Sequence, residues 1–145
     1  LAMRGDPAGA RLQYDTVRLT AELSALAGAV YDRQLSLFEL DHGGASDALL
    51  AAARSALEVR ADAGGHDVVA WAAFRLGRFD EARRASVLAR AGGAHDARIL
   101  FHAGAIELAG GDADRGRELL RDALALGPAL DPLERAEAER LLAGS

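Results

Sequence analysis

The sequence predicts an all-α protein in which helical hairpins are stacked one on the next. First, four glycine-opened phrases recur, and the intervals between their opening glycines are 38, 34 and 34 residues. A period near 34 is typical of arrays in which a hairpin cannot bury its own apolar face and packs on its neighbour. Second, half of the 145 residues are apolar while only 5% are aromatic, a composition that favours helices. The phrases begin at Gly5, Gly43, Gly77 and Gly111.

Turn residues and apolar periodicity place the first helices. Pro7 suits the first turn of a helix, because the N–H that proline lacks has no partner there. Apolar side chains then recur at helical spacing, so we expect one long helix. A second helix is expected to stop at His42, where the glycine pair Gly43-Gly44 follows. Ser46 or Ala45 then begins a third helix, and Gly64-Gly65 is expected to end it.

Capping residues place the later helices. Asp67 and Asp96 each precede an apolar helical run, where a carboxylate accepts free N–H groups, so both are interpreted as N-caps. Gly77-Arg78 and Gly110-Gly111 separate the helices of the next two pairs. The predicted helices are 7–27, one from about residue 30 to His42, 45–62, 67–76, 79–92, 97–110, 112–126 and 131–143.

These helices predict a single array with a cap at its end. The last segment has one charged and one apolar face, as the terminal helix of a stack requires. In such an array a helix precedes each glycine-opened phrase, but only residues 1–4 precede the first phrase. We therefore expect the chain to be a fragment of a longer protein. The predicted hairpin units are 5–42, 43–65, 66–94 and 95–128, with the capping helix at 131–143.

Composition restricts the partners. The net charge is −5 and acidic and basic residues alternate along the chain, so there is no basic stripe for nucleic acid. No apolar run approaches the ~20 residues that cross a bilayer, so membrane insertion is not expected. The chain has no cysteine, which leaves its compartment open. No cofactor or metal site is predicted.

Several residues match the repeat positions of one family. In the last unit, Leu100 matches a position for a large residue, Gly104 a glycine position, Ala123 an alanine position and Pro128 a proline position. In the preceding unit, the phrase from Phe79 to Ala82 matches. The chain therefore resembles a tetratricopeptide repeat (TPR) protein, and specifically the C-terminal portion of large bacterial TPR proteins. The resemblance implies a right-handed superhelix of antiparallel hairpins with a C-terminal capping helix, and a protein-interaction scaffold that is not an enzyme.

In that family the first helix of each unit lines a concave surface that binds a peptide or a partner protein. An aromatic patch edged by cationic side chains would suit a peptide with an apolar anchor and a nearby carboxylate. The alternative is that the aromatic side chains belong to the core between neighbouring hairpins. The predicted partner-binding residues are Arg33, Leu37, Asp67, Trp71, Phe74, Arg98, Phe101 and His102, with Gln34, Arg75 and Ala105 on the same surface.

Two further functions are considered. The array could serve self-assembly within a longer chain, with Leu12, Leu19 and Leu23 of the first predicted helix forming a homodimer contact. A metal-dependent hydrolase could use the pairs His66-Asp67 and His95-Asp96. Because both pairs stand where helices are expected to begin, capping explains them better. No Gly-x-Ser-x-Gly, phosphate-loop or His-Glu-x-x-His motif occurs, so catalysis is not predicted.

Overall fold

The computed structural model describes residues 30–93 and 95–144, and the predicted helix 7–27 lies outside them. The described residues form seven α-helices and no strand, which confirms the all-α prediction for this part of the chain. Within these ranges no segment combines the length and hydropathy that a bilayer-spanning helix requires. The helices are α1 (Val30–Asp41), α2 (Asp47–Val59), α3 (Ala63–Arg75), α4 (Phe79–Arg90), α5 (Ala97–Ala109), α6 (Ala113–Ala125) and α7 (Pro132–Gly144), with a 3-10 turn at Gly127–Ala129.

Glycines at a spacing of 34 residues end three of the helices. Gly43, Gly77 and Gly111 follow α1, α3 and α5 with φ angles of 82°, 76° and 94°, a conformation that side chains with a Cβ rarely adopt. After α3, the Gly77 N–H donates to the Phe74 carbonyl at 3.0 Å and the next N–H donates to the Ala73 carbonyl at 2.8 Å. These two bonds close the helix end. The periodic glycines are therefore helix terminators.

Side-chain caps begin most of the helices, and the cap of α3 is not the predicted residue. Asp96 caps α5, as predicted, and Ser46, one of the two residues predicted to begin the third helix, caps α2. The prediction that Asp67 is an N-cap is wrong, because α3 begins at Ala63, and so Gly64-Gly65 lies in its first turn. Asp62 is the cap, and its Oδ1 accepts from the Gly65 N–H at 2.8 Å. This cap stabilises the first turn despite the low helix propensity of glycine.

The helices pack in two relationships. Consecutive helices contact each other most extensively in the pairs α3 with α4 and α5 with α6, and each later pair also packs on the preceding one through α2 with α3 and α4 with α5. In addition, α1 contacts α3, α3 contacts α5 and α5 contacts α7. The alternate helices α1, α3, α5 and α7 therefore follow one another side by side, which positions the candidate site.

Small residues lie at the contact between α5 and α6 and at other helix contacts. Ala70, Ala89, Gly104 and Ala123 are all buried. Between α5 and α6, a Cβ added at Gly104 would lie 2.7 Å from Leu120 Cγ. Glycine at this position therefore lets α5 and α6 approach each other without displacing the Leu120 side chain.

Candidate functional site

A groove of about 1180 Å³ runs along the alternate helices. Its floor is apolar and comes mainly from α3 and α5, while α1 and α7 form its two walls. Five of the predicted partner-binding residues line it. These five are Leu37, Trp71, Phe74, Arg98 and Phe101.

The aromatic floor of the groove is also part of the core. The ring centroid of Trp71 lies 5.1 Å from that of Phe74 and 5.8 Å from that of Phe101. Trp71 is 6% exposed and Phe101 is 3% exposed, so little of either side chain is available to a ligand. The sequence left open whether these aromatic side chains lie in the groove or in the core. Trp71 and Phe101 are buried in the core and also present an edge to the groove. Phe74 is less buried.

Asp67 and His102 form a buried polar pair beneath this floor. His102 Nδ1 lies 3.0 Å and 2.9 Å from the two carboxylate oxygens of Asp67. The imidazole ring also stacks on Trp71, with centroids 4.1 Å apart. His102 is fully buried, and neither residue lines the groove. Asp67 and His102, predicted to face a partner, therefore do not line the groove; the Asp67 carboxylate and His102 Nδ1 pair with each other between α3 and α5.

Arg33, also predicted to bind a partner, does not line the groove. Its Nη2 donates to Asp62 Oδ1 at 2.7 Å, and it lines a separate cavity of about 420 Å³ between α1 and α2. Burial raises the pKa of Asp62, but the Gly65 N–H and the guanidinium groups of Arg33 and Arg60 outweigh burial, so the pKa lies below its ordinary value. Arg33 thus supports the start of α3.

Arg98 lies in the groove with its charge already paired. Its Nε donates to Glu134 Oε1 at 2.9 Å, and the Glu134 side chain is 5% exposed. Glu134 also accepts the Asp131 N–H at 3.3 Å, while Asp131 Oδ1 accepts the Glu134 N–H at 2.9 Å. These reciprocal bonds form a capping box at the start of α7. Burial raises the pKa of Glu134 above its ordinary value, although the Arg98 charge opposes the increase.

The raised pKa of Glu134 predicts a specific pH dependence of stability. Folded Glu134 holds its proton at pH values where the unfolded chain has lost it. The free energy of unfolding therefore decreases as the pH rises from 4.5, the ordinary pKa of a glutamate, through the raised pKa of Glu134. Glu134→Gln should remove this decline. Urea unfolding of both proteins across the pH range measures the difference, with Glu139→Gln on an exposed part of α7 as the control. A difference between wild type and Glu134→Gln that does not change with pH would contradict the prediction.

The groove contains residues that the sequence analysis did not assign to it. Phe38 and Leu133 stand on the opposing walls and are 58% and 74% exposed. Phe38 lies four residues after Gln34, on the face already predicted to be concave, so helical spacing could have identified it. Leu133 belongs to α7, which was predicted only as a cap. Gln34 and Arg75, placed on this surface from the sequence, do line the groove.

The histidine-aspartate pairs show no metal-binding arrangement. Within residues 30–93 and 95–144, no three His, Cys, Asp or Glu side chains are grouped so as to hold a metal ion. Asp96 caps α5 through the Arg98 and Ile99 N–H groups, at 2.9 Å and 3.2 Å. The self-assembly residues Leu12, Leu19 and Leu23 lie outside the described residues.

Searches against protein-family models, curated proteins and solved structures give no match for this chain. Its function is therefore inferred from the groove and from the residues that line it.

Proposed function

We propose that this chain is a TPR-like scaffold, not an enzyme, that binds a peptide or a segment of a partner protein in the groove along α1, α3, α5 and α7. The observation that carries the proposal is the apolar floor that α3 and α5 supply jointly. Pockets for small ligands usually measure ~300–1,000 Å³, whereas this groove measures about 1180 Å³. An elongated polypeptide segment suits it better.

Two features support a superhelical repeat. The helix-ending glycines recur every 34 residues, and each described helix pair packs on the next. Stacked hairpins with these properties expose the first helix of each pair along one continuous surface. The fully buried pair Asp67–His102 joins two of these first helices and so fixes their relative position.

The exposed rim residues give the most direct test of this function. Phe38→Glu and Leu133→Glu should each weaken a groove ligand about 10–100-fold, because a charge replaces an apolar contact. The helical content should not change, since both side chains are more than half exposed. The ligands are peptides selected from a random display library on the immobilised chain, and the emission of Trp71, the single tryptophan, reports their affinity.

Matched controls lie outside the groove. Leu88→Glu and Val59→Glu introduce the same charge at side chains that are 53% and 82% exposed, and neither residue lines the groove. These variants should bind the selected peptides as the wild type does. If the peptides lose affinity only for the control variants, they dock elsewhere and the proposal fails.

Self-assembly is the alternative proposal. Val87 and Leu88 are neighbours on α4 and each is more than half exposed, so they could contribute to an apolar contact between copies. Light scattering over a range of concentrations, applied to the wild type and Leu88→Glu, tests this alternative. A monomer at every concentration would argue against it.

A further inference from the structure

The main chain of the groove walls has few free hydrogen-bonding groups. All four helices that line the groove use their central N–H and C=O groups in helical bonds. An extended peptide buried here would need other partners for its own backbone groups, and each unpaired group costs free energy. A helical peptide satisfies these groups internally. The groove therefore favours a helix as its occupant.

The side chains of the groove cannot easily replace the missing backbone partners. Asp41 accepts the Trp71 Nε1–H at 3.1 Å, and Arg98 binds Glu134. Arg140 Nε donates to Glu137 Oε2 at 2.7 Å. Gln34 supplies the one side-chain amide along the groove, since the chain has no asparagine. Apart from this amide and the Arg75 guanidinium, an extended backbone would find few of the several hydrogen-bond partners that it needs.

The size and shape of the groove also match a helix. A helix ~10 Å wide that rises ~1.5 Å per residue occupies ~120 Å³ per residue, so about 1180 Å³ corresponds to about ten residues. The exposed side chains of Phe38 and Leu133 stand on opposite walls above the apolar floor. An amphipathic helix presents an apolar stripe wide enough to meet the floor and both walls.

Arg75 is the cation in the groove that is open to a ligand. It is exposed, and it forms no hydrogen bond or ion pair with any residue that the structure describes. Glu137 lies near enough for Arg75 to help lower its pKa, after the larger effect of the Arg140 hydrogen bond. However, Arg140 already binds that carboxylate. A carboxylate from a ligand would therefore complete the charge pairing at Arg75.

Building on the proposed function, we propose that the occupant is an amphipathic helix of another protein, and that an acidic residue beside its apolar stripe pairs with Arg75. The apolar stripe packs on Phe74 and the exposed edges of Trp71 and Phe101. The acidic residue determines the orientation of the helix in the groove, because the other two arginines that line it, Arg98 and Arg140, are already paired with Glu134 and Glu137.

Two display libraries test the conformation of the occupant. One randomises positions i, i+3, i+4 and i+7 of a helix-forming peptide of about 15 residues, and the other places the same randomised residues in a proline-interrupted peptide that cannot form a helix. The immobilised full chain should select binders from the helical library, and Phe38→Glu should weaken their binding about 10–100-fold. Binders that depend on Phe38 but come only from the interrupted library would overturn this inference and leave the proposed function intact. Binders from neither library would overturn both.

A charge reversal tests the role of Arg75. The helical binders should be enriched in Asp or Glu at one position beside the apolar stripe, and Arg75→Glu should weaken them about tenfold or more. A version of each peptide with Lys at that position should regain affinity for Arg75→Glu. Arg84→Glu makes the same charge change at an exposed site outside the groove. This variant should not prefer the Lys version of a peptide over the acidic version. Binders without an acidic position, or a reversal that Arg84→Glu reproduces, would overturn the assignment. If the wild-type chain self-associates and Arg75→Glu abolishes this association, the occupant of the groove is a second copy of the chain and not another protein.

Discussion

Asp67→Ala is expected to lower the free energy of unfolding by about 3 kcal/mol. The substitution leaves His102 Nδ1 without its partner in a site that water does not reach, since His102 is fully buried. Removing one partner of a buried polar pair costs ~1–3 kcal/mol when the remaining group is neutral and ~3–5 kcal/mol when it is charged. Urea denaturation at constant pH measures the loss. Asp47→Ala, an exposed acidic residue in the first turn of α2, is the control and should cost less than about 1 kcal/mol.

A double-mutant cycle separates the polar pair from general packing. His102→Phe retains a ring that can stack on Trp71 but removes the nitrogen that binds Asp67. In the His102→Phe background, Asp67→Ala should cost less, with a coupling of about 2 kcal/mol. If the two substitutions are additive, the bond between Asp67 and His102 does not stabilise the fold, and their burial needs another cause.

The helix ends were predictable because their determinants are local. A glycine after a helix allows positive φ at little cost, and Gly43, Gly77 and Gly111 show this conformation. The start of α3 was not predicted, because Gly64-Gly65 has low helix propensity and indicated an end. Tertiary contacts override that propensity, since Arg33 from another helix holds the capping carboxylate of Asp62. Propensity alone does not contain that contact.

The groove was predictable only in part, for a related reason. The repeat phase placed Leu37, Trp71 and Ala105 along it, because residues one period of 34 apart occupy equivalent positions on equivalent helices. The same phase placed His102 there, although its ring is directed into the core against Asp67. A pairing between side chains 35 residues apart depends on the rotation of both helices, which a single-helix pattern does not specify. The wall formed by α7 was missed because that helix was interpreted only as a cap.

Gly116→Ala is expected to destabilise the protein by about 2 kcal/mol, although alanine usually stabilises a helix interior relative to glycine by ~0.5–1 kcal/mol. A Cβ at Gly116 would lie 2.7 Å from Leu108 Cγ, 2.9 Å from the Leu108 backbone N and 3.0 Å from the Gly104 carbonyl oxygen. Two of these atoms belong to the main chain of α5, so rotation of a side chain cannot remove the overlap. The helices α5 and α6 must then separate, which loosens the packing below the groove.

Two other glycines test this explanation. Gly104→Ala should cost less than Gly116→Ala, because the two atoms nearest to its Cβ belong to the Leu120 side chain, at 2.7 Å and 2.9 Å, and one main-chain atom, the Gly116 carbonyl oxygen at 3.0 Å, follows them. Gly144→Ala adds a Cβ at the last residue of α7 with no atom within 4 Å, and should change stability by less than about 0.5 kcal/mol. Thermal and urea unfolding rank the three variants. If Gly116→Ala is as stable as the wild type, the two helices can move apart without cost.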